Sequence, residues 1–174
     1  MKNSPIGKSK QSGPGVHKAN RDARPLDAID RAILVLLQED ATLPVQDIAE
    51  RVNLSPTPVW RRIQQLRERG IIRREVAIVD PEKVNLPITV FVAIRTNQHN
   101  AGWLEKFSRS VMSLPEVVEF YRMSGDVDYL LRVVVADIRG YDVFYKKLVK
   151  SAELFDVSSS FAMEQIKYTT ALPV

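Results

Sequence analysis

Cysteine is absent from the 174-residue chain, and histidine occurs only twice, as His17 and His99. Without cysteine the chain forms no disulfide and has no thiolate for catalysis or metal binding. Two histidines so far apart in sequence do not resemble the closely spaced ligands of a zinc site. The chain also contains no G-x-G-x-x-G or G-x-x-x-x-G-K stretch for binding nucleotide phosphates. We therefore predict no catalytic residue, no metal and no cofactor, and we predict that the protein is not an enzyme.

Long apolar runs are missing as well. No stretch approaches the roughly 18 apolar residues of a membrane-spanning helix, so we predict no membrane partner. The first residues are polar and lack the apolar segment of a secretory signal, which together with the absence of cysteine predicts a cytoplasmic protein. Apolar residues still make up 45% of the chain, which is enough for a hydrophobic core.

The formal net charge of +4 is distributed unevenly. Residues 1–24 carry six basic side chains and one acidic side chain among many Ser, Gly, Pro and Asn residues, which predicts a disordered basic arm. This arm either touches DNA phosphates or has no specific role. Residues 61–74 carry six arginines and one glutamate. A local basic patch is typical of a nucleic-acid interface, although many charge runs are only solvated surface.

Residues 55–70 have the start and stop signals of a helix. Ser55 is predicted to be the N-cap, with its hydroxyl accepting a backbone N–H, and Pro56 occupies the first helical position. Gly70 provides the C-terminal stop. One face carries an apolar stripe at helical spacing, formed by Val59, Ile63 and Leu66.

The opposite face of this helix is polar and suits DNA readout. Arginine pairs bidentately with guanine, and glutamine with adenine, in the major groove. We predict that Thr57, Arg61 and Gln64 face base edges and that Arg62 and Arg67 bind phosphates. An ordinary amphipathic helix with a solvated polar face would show the same pattern. The full set of predicted DNA-binding residues is Ser55, Thr57, Trp60, Arg61, Arg62, Gln64, Gln65 and Arg67.

Two further helical patterns precede this helix, at residues 27–39, capped by Asp27, and at residues 45–52. Three helices with a short turn between the second and third make a helix-turn-helix. We therefore place a winged helix-turn-helix DNA-binding domain at residues 25–73.

The pattern changes after this domain. Ile71 to Val79 is rich in β-branched residues and is predicted to be a wing or connecting strand, in a linker at 74–87. Residues 88–174 then alternate between strand and helix patterns in the order βαββαβ. This order predicts the α+β class and a ferredoxin-like antiparallel sheet with both helices on one face. The predicted strands are 88–95, 117–123, 129–135 and 157–166, and the predicted helices are 101–113 and 137–151.

The strands of this second domain are so apolar that we interpret both faces of the sheet as apolar. Two helices cover only one face, so the other should be buried in a partner, which predicts at least a homodimer. The residues behind this prediction are Val90, Val92, Leu131, Val133 and Val135.

Four motifs occur together in one order along residues 26–172. They are LDAIDR at 26–31, LSPTPV at 54–59, RRI at 61–63 followed by Leu66 and GII at 70–72, and SGDVDYLL at 124–131. In this combination the chain resembles the leucine-responsive regulatory protein/AsnC (Lrp/AsnC) family of bacterial and archaeal transcription regulators.

The resemblance implies double-stranded DNA and an amino acid effector as partners, with effector sensing and oligomerisation in the domain at 88–174. It implies homodimers formed by sheet-to-sheet packing, which assemble further into tetramers or octamers. The final stretch, 158–173, resembles the subgroup that responds to cysteine or related amino acids. The implied effector residues are Ser124, Gly125, Asp126 and Asp128.

Three alternatives accompany this interpretation. Asp126 and Asp128 can be ordinary turn residues rather than ligands for the effector's ammonium group. The protein can be an effector-independent DNA-organising member of the same family. A ferredoxin-like domain can also bind RNA, but residues 129–135 lack the aromatic spacing of an RNA-recognition motif.

Overall fold

The computed structural model describes residues 24–98, 100–152 and 154–174. The predicted basic arm therefore lies outside the described residues except for Arg24. The chain divides into two compact units, of which the second comprises Val76–Thr169. The first unit comprises the described residues up to Glu75 together with the C-terminal segment Thr170–Val174. This segment was predicted to belong to the second domain. In the described ranges, no helix has the length and apolar character needed to cross a bilayer.

The first unit contains the three predicted helices, α1 (Ala28–Glu39), α2 (Val45–Arg51) and α3 (Pro56–Glu68). Each contributes one apolar stripe to a common core, which explains why three short helices hold together. The buried core residues are Ile33, Leu34, Ile48, Ala49, Val59, Ile63 and Leu66.

Local signals determine where these helices begin. A reciprocal capping box starts α1: the Asp27 carboxylate accepts from the Asp30 N–H at 2.8 Å, and the Asp30 carboxylate accepts from the Asp27 N–H at 3.3 Å. The turn into α3 passes through Asn53 at φ 54°, a left-handed conformation that asparagine tolerates. Ser55 is the N-cap residue of α3, but its side chain makes no capping hydrogen bond, contrary to the prediction.

The predicted strand at Ile71 to Val79 does not form. Residues 73–80 contain no regular secondary structure and are followed by a short 3-10 helix, Glu82–Val84. Val76 and Ile78 are 65% and 62% exposed. The β-branched residues of this stretch therefore do not pack against a strand in the described part of the chain.

The second unit confirms the predicted α+β class, with a four-stranded ferredoxin-like sheet and two helices in the order βαββαβ. The strand order is β2-β3-β1-β4, and all neighbours are antiparallel. The last strand ends at Phe161, five residues earlier than predicted. The elements are β1 (Ile88–Arg95), α4 (Ala101–Met112), β2 (Val117–Arg122), β3 (Tyr129–Val135), α5 (Ile138–Ser151) and β4 (Asp156–Phe161).

Both helices pack on one face of this sheet. The five strand residues that we expected to represent both faces are all buried on this one face, so that part of the interpretation was wrong. In β3, buried and half-buried residues alternate, because successive side chains point to opposite faces. The residues buried with the helices are Val90, Val92, Ile94, Phe107, Val111, Tyr129, Leu131, Val133, Val135, Tyr141, Phe144 and Leu148.

The other face carries no helix from the described part of this unit and mixes apolar and polar side chains. At its centre Phe91 is 41% exposed, and the Arg132 guanidinium binds the Glu119 carboxylate at 2.7 Å. We call this surface the open sheet face. It is formed by Thr89, Phe91, Ala93, Glu119, Tyr121, Leu130, Arg132, Val134, Ser158 and Ser160.

Candidate DNA interface and effector loop

The outer face of α3 is accessible along its whole length. Thr57, Arg61 and Gln65 are exposed, and Trp60 is 52% exposed, whereas Gln64 is half-buried. The Arg61 side chain makes no hydrogen bond or ion pair with any residue that the structure describes. Its guanidinium therefore has all five N–H donors available to a ligand.

Arg62 lies on the flank of the same helix but has an intramolecular role. Its Nη1 donates to Asp30 Oδ1 at 2.6 Å and to Asp27 Oδ2 at 2.8 Å, and its side chain is only 21% exposed. Two carboxylates at the start of α1 already neutralise this guanidinium. These ion pairs fix α3 against α1, and the phosphate contact predicted for Arg62 stays a prediction.

Arg24 completes this cluster of charges. Its Nη2 donates to Asp27 Oδ2 at 2.6 Å and to Asp30 Oδ2 at 3.1 Å, while its backbone oxygen accepts from Arg69 Nη2 at 2.6 Å. The Asp30 N–H, Arg62 and Arg24 lower the pKa of Asp27 from 3.8 to about 2. Burial raises the pKa of Asp30, but its bonds from Arg62 and Arg24 outweigh that effect, so its pKa also lies below the ordinary value. Both carboxylates are therefore held in their charged form.

Acid should destabilise the first unit through these groups. Because the pKa of Asp27 is about 2 in the folded chain and 3.8 ordinarily, its stabilising contribution is complete above about pH 4 and is lost as the pH falls towards 2. The free energy of unfolding should therefore decline in that window. Urea titrations at stepped pH, followed by the methyl signal of Ile33, measure the decline. Asp27→Asn should flatten it, and an unchanged pH profile in this variant would contradict the assignment.

A second basic surface follows the C-terminal end of α3. Arg67 pairs with Glu75 at 2.6 Å, but both side chains are more than 40% exposed, so the pair contributes little and can open for a phosphate. Arg73 and Arg74 are exposed and make no ion pair within the described chain. Together with Ile72 these side chains line a shallow depression. Arg73 and Arg74 were not among the predicted contact residues, although they belong to the basic stretch that the sequence singled out.

The predicted effector loop connects β2 to β3. Ser124, Gly125 and Asp126 are exposed, and Gly125 has φ +107°, a conformation that strains any residue with a Cβ atom. The Asp126 carboxylate has no hydrogen-bond or ion-pair partner among the described residues. A free carboxylate beside a glycine offers an acceptor for an ammonium group at a place where a ligand can approach the backbone closely.

Asp128 differs from Asp126 because it is tied to the neighbouring strand. Its Oδ2 accepts from the Thr96 N–H at 2.8 Å, and its own N–H donates to the Ile94 oxygen at 3.0 Å. Thr96 is 7% exposed, so the bond lies mostly out of solvent. Asp128 therefore anchors the loop to the end of β1. Thr96 was not predicted to contribute, and no local signal identifies it, because it lies 32 residues before its partner.

The two units match two known protein families. Residues 26–73 match the winged helix-turn-helix DNA-binding family, and residues 89–172 match the Lrp/AsnC ligand binding domain. The chain is 54% identical over 150 residues to the DNA-binding transcriptional activator DecR of Escherichia coli K12, a match that covers 86% of this chain and 99% of that protein.

Solved structures agree with these matches. A crystal structure of an AsnC family transcriptional regulator from Agrobacterium tumefaciens is 64% identical with a TM-score of 0.83, covering 85% of this chain and 97% of that one. A transcriptional regulator from Neisseria meningitidis in complex with L-Met is 37% identical with a TM-score of 0.81, covering 86% and 97%. The chain therefore belongs to the Lrp/AsnC family, whose members are DNA-binding transcription regulators rather than enzymes.

Proposed function

We propose that the protein reads operator DNA through α3, with Arg61 as its main base contact. The observation that carries the proposal is the exposed Arg61 guanidinium, which has no partner among the described residues and lies on the side of α3 opposite its buried stripe. Thr57 and Gln64 lie on the same side and add shorter polar groups. Arg67, Arg73 and Arg74 supply phosphate contacts in place of Arg62. Such a protein meets chromosomal DNA in the cytoplasm.

Arg61→Ala should weaken binding to a selected operator by about 1–3 kcal/mol, roughly fivefold to 150-fold, and relax the base preference at one position. Arg31→Ala is the matched control, because Arg31 is also exposed without an ion pair in the described chain but lies on α1. It should bind like the wild type. Fluorescence anisotropy with operator and scrambled duplexes measures both. Equal binding of operator by Arg61→Ala and wild type would exclude Arg61 as a base contact.

We also propose that an amino acid effector binds at the loop of residues 124–128. The free carboxylate of Asp126 would accept the effector's ammonium group, and Asp128 would hold the loop in shape. The L-Met complex of the Neisseria meningitidis regulator supports an amino acid as ligand. An effector that binds one state of the protein better changes DNA binding only by that difference in affinity.

Asp126→Asn should weaken effector binding by about tenfold or more, because it removes a charge-assisted hydrogen bond. Asp128→Asn is the control: its side-chain oxygen can still accept from the Thr96 N–H, so affinity should stay near the wild-type value. Calorimetric titration with leucine, methionine and cysteine measures both variants. Unchanged affinity in Asp126→Asn would reassign Asp126 to turn geometry. Absence of binding to wild type at millimolar concentration would favour an effector-independent DNA-organising protein.

The open sheet face supports a third proposal, a homodimer formed by packing two sheets together, with tetramers or octamers as higher assemblies. Phe91, Ala93, Leu130 and Val134 make the central strands of this face largely apolar, and Arg132 among them is neutralised by Glu119. Apolar surface with few unpaired charges is typical of the core of a protein interface. An RNA-binding sheet would instead present several aromatic side chains on its two central strands. On this face of β1 and β3, Phe91 is the one aromatic residue.

A further inference from the structure

A shallow cleft lies between the first turns of α2 and α3, next to the exposed side of the recognition helix. Five side chains line it: Val45, Gln46, Pro56, Thr57 and Trp60. Trp60 is 52% exposed although its indole is the largest apolar side chain of this unit. Trp60 belongs to the proposed DNA-reading helix. Covering its exposed ring with bound DNA would therefore strengthen binding, because apolar surface is removed from water.

The chemistry of the cleft does not suit a phosphate. None of its five lining residues can carry a charge. The start of α3 is also short of backbone donors, because Pro56 and Pro58 have no N–H to offer in the first turn. Many helices bind anions at their N-terminus through free backbone N–H groups. The N-terminus of α3 instead presents apolar surface.

The cleft instead matches the major-groove edge of thymine. Thymine is the only base with a methyl group, and its O4 acceptor lies beside that methyl. Val45, Pro56 and the Trp60 ring supply an apolar surface for the methyl, while the Gln46 amide or the Thr57 hydroxyl can donate to O4. Cytosine presents an N4 donor and no methyl at the same place.

The geometry points to a thymine-reading notch between α2 and α3, with Trp60 and Val45 contacting the 5-methyl group of one base in each half-site. The inference rests on the proposed DNA readout and adds specificity-determining residues to it. Val45 and Gln46 belong to α2, so recognition extends beyond α3.

Deoxyuridine substitution tests the notch, because it removes only the methyl group of thymine. Binding sites are first selected from a random duplex library with the full-length wild type, and each thymine is then replaced singly. At one position in each half-site, replacing thymine by deoxyuridine should lower the affinity about fourfold, which corresponds to the burial of one methyl-sized group. A 5-methylcytosine–guanine pair there should also bind more weakly than thymine–adenine, because a donor replaces O4.

Trp60→Ala should clearly reduce the deoxyuridine penalty at that position, because only Val45 and Pro56 remain to contact the methyl group, and should leave other positions unchanged. Trp60→Phe should keep more of the penalty, because an aromatic ring remains. Gln65→Ala, on the far flank of α3, is the control and should keep the penalty in full. A selected site with no sensitive thymine, or a penalty of wild-type size in Trp60→Ala, would overturn the notch while leaving DNA readout intact. Failure to select any sequence would instead overturn the proposed readout, and the notch with it.

Discussion

Asp30→Ala should lower the free energy of unfolding of the first unit by about 2–3 kcal/mol. The Asp30 side chain is 4% exposed and accepts hydrogen bonds from Arg62, Arg24 and the Asp27 N–H. Its removal leaves the Arg62 guanidinium with only the Asp27 carboxylate. It also leaves the Asp27 N–H without its acceptor in the capping box. The loss should be smaller than for a fully buried ion pair, because Arg62 keeps Asp27 and is 21% exposed.

Native-state hydrogen exchange of the full chain measures this loss in each unit separately. The amides of Ile33 and Ile63 should exchange about 30-fold to 150-fold faster in Asp30→Ala, whereas the Leu131 amide in the second unit should be unchanged. Asp47→Ala is the matched control, since Asp47 is exposed in the first turn of α2 and its side chain has no partner in the described chain. Equal protection in Asp30→Ala and Asp47→Ala would refute the proposed strength of this cluster.

The elements that the sequence predicted well are those with local causes. The Asp27 capping box involves residues three apart, so the start of α1 can be recognised from the sequence alone. β1 and β3 have the predicted boundaries, because a run of β-branched residues ended by polar or turn residues is also a local signal. Strand length proved harder at β4, which ends at Phe161; beyond it the Ala162 N–H still donates to the Thr89 oxygen of β1 at 2.9 Å, but residues 162–166 are not part of the strand.

Long-range contacts involve partners that the sequence could not predict. On a helical wheel Arg62 lies on a flank of α3, and nothing nearby shows that Asp27 and Asp30, 35 and 32 residues earlier, will bind it. The same is true of Asp128 and Thr96. In each case a charged group that looked available for a ligand is used inside its own unit, and only the tertiary fold brings the two partners together.

The error about the sheet had a different origin. Residues two apart in a strand lie on the same face. This rule groups Val90 with Val92 in β1, and it separately groups the three apolar residues Leu131, Val133 and Val135 in β3. Whether those two faces coincide depends on the register between the strands, in which Val90 lies opposite Val133. The structure supplies that register, and it shows that the face opposite the two helices is centred on Phe91 instead.

Phe91→Asp should separate the proposed homodimer into monomers. In a two-fold symmetric sheet-to-sheet dimer the Phe91 ring of each protomer would be buried, so each copy of the variant would bury a carboxylate. The nearest cation, Arg132 on the neighbouring strand, is already bound to Glu119 and would not fully compensate the new charge. At about 2 kcal/mol or more per copy, the dissociation constant of the dimer should rise about 1,000-fold or more. The monomer itself should tolerate the change, because Phe91 is already 41% exposed in the single chain.

Sedimentation at micromolar concentration measures this separation. Val143→Asp is the matched control, since Val143 is 52% exposed on α5, a helix that packs on the opposite face of the sheet. It introduces the same charge and should sediment like the wild type. A Phe91→Asp protein that remained dimeric at that concentration would move the proposed interface away from the open sheet face.

DNA binding then distinguishes lost assembly from a damaged DNA-binding unit. Phe91 lies in the second unit, so α3 and Arg61 should be intact in the variant. Joining two recognition helices makes the second contact intramolecular, which typically strengthens binding by about 10²–10⁴-fold. Phe91→Asp should lose a factor of that size on a duplex with two half-sites and almost nothing on a single half-site. Equal losses on both duplexes would show that the variant acts through the fold of the protein rather than through its assembly.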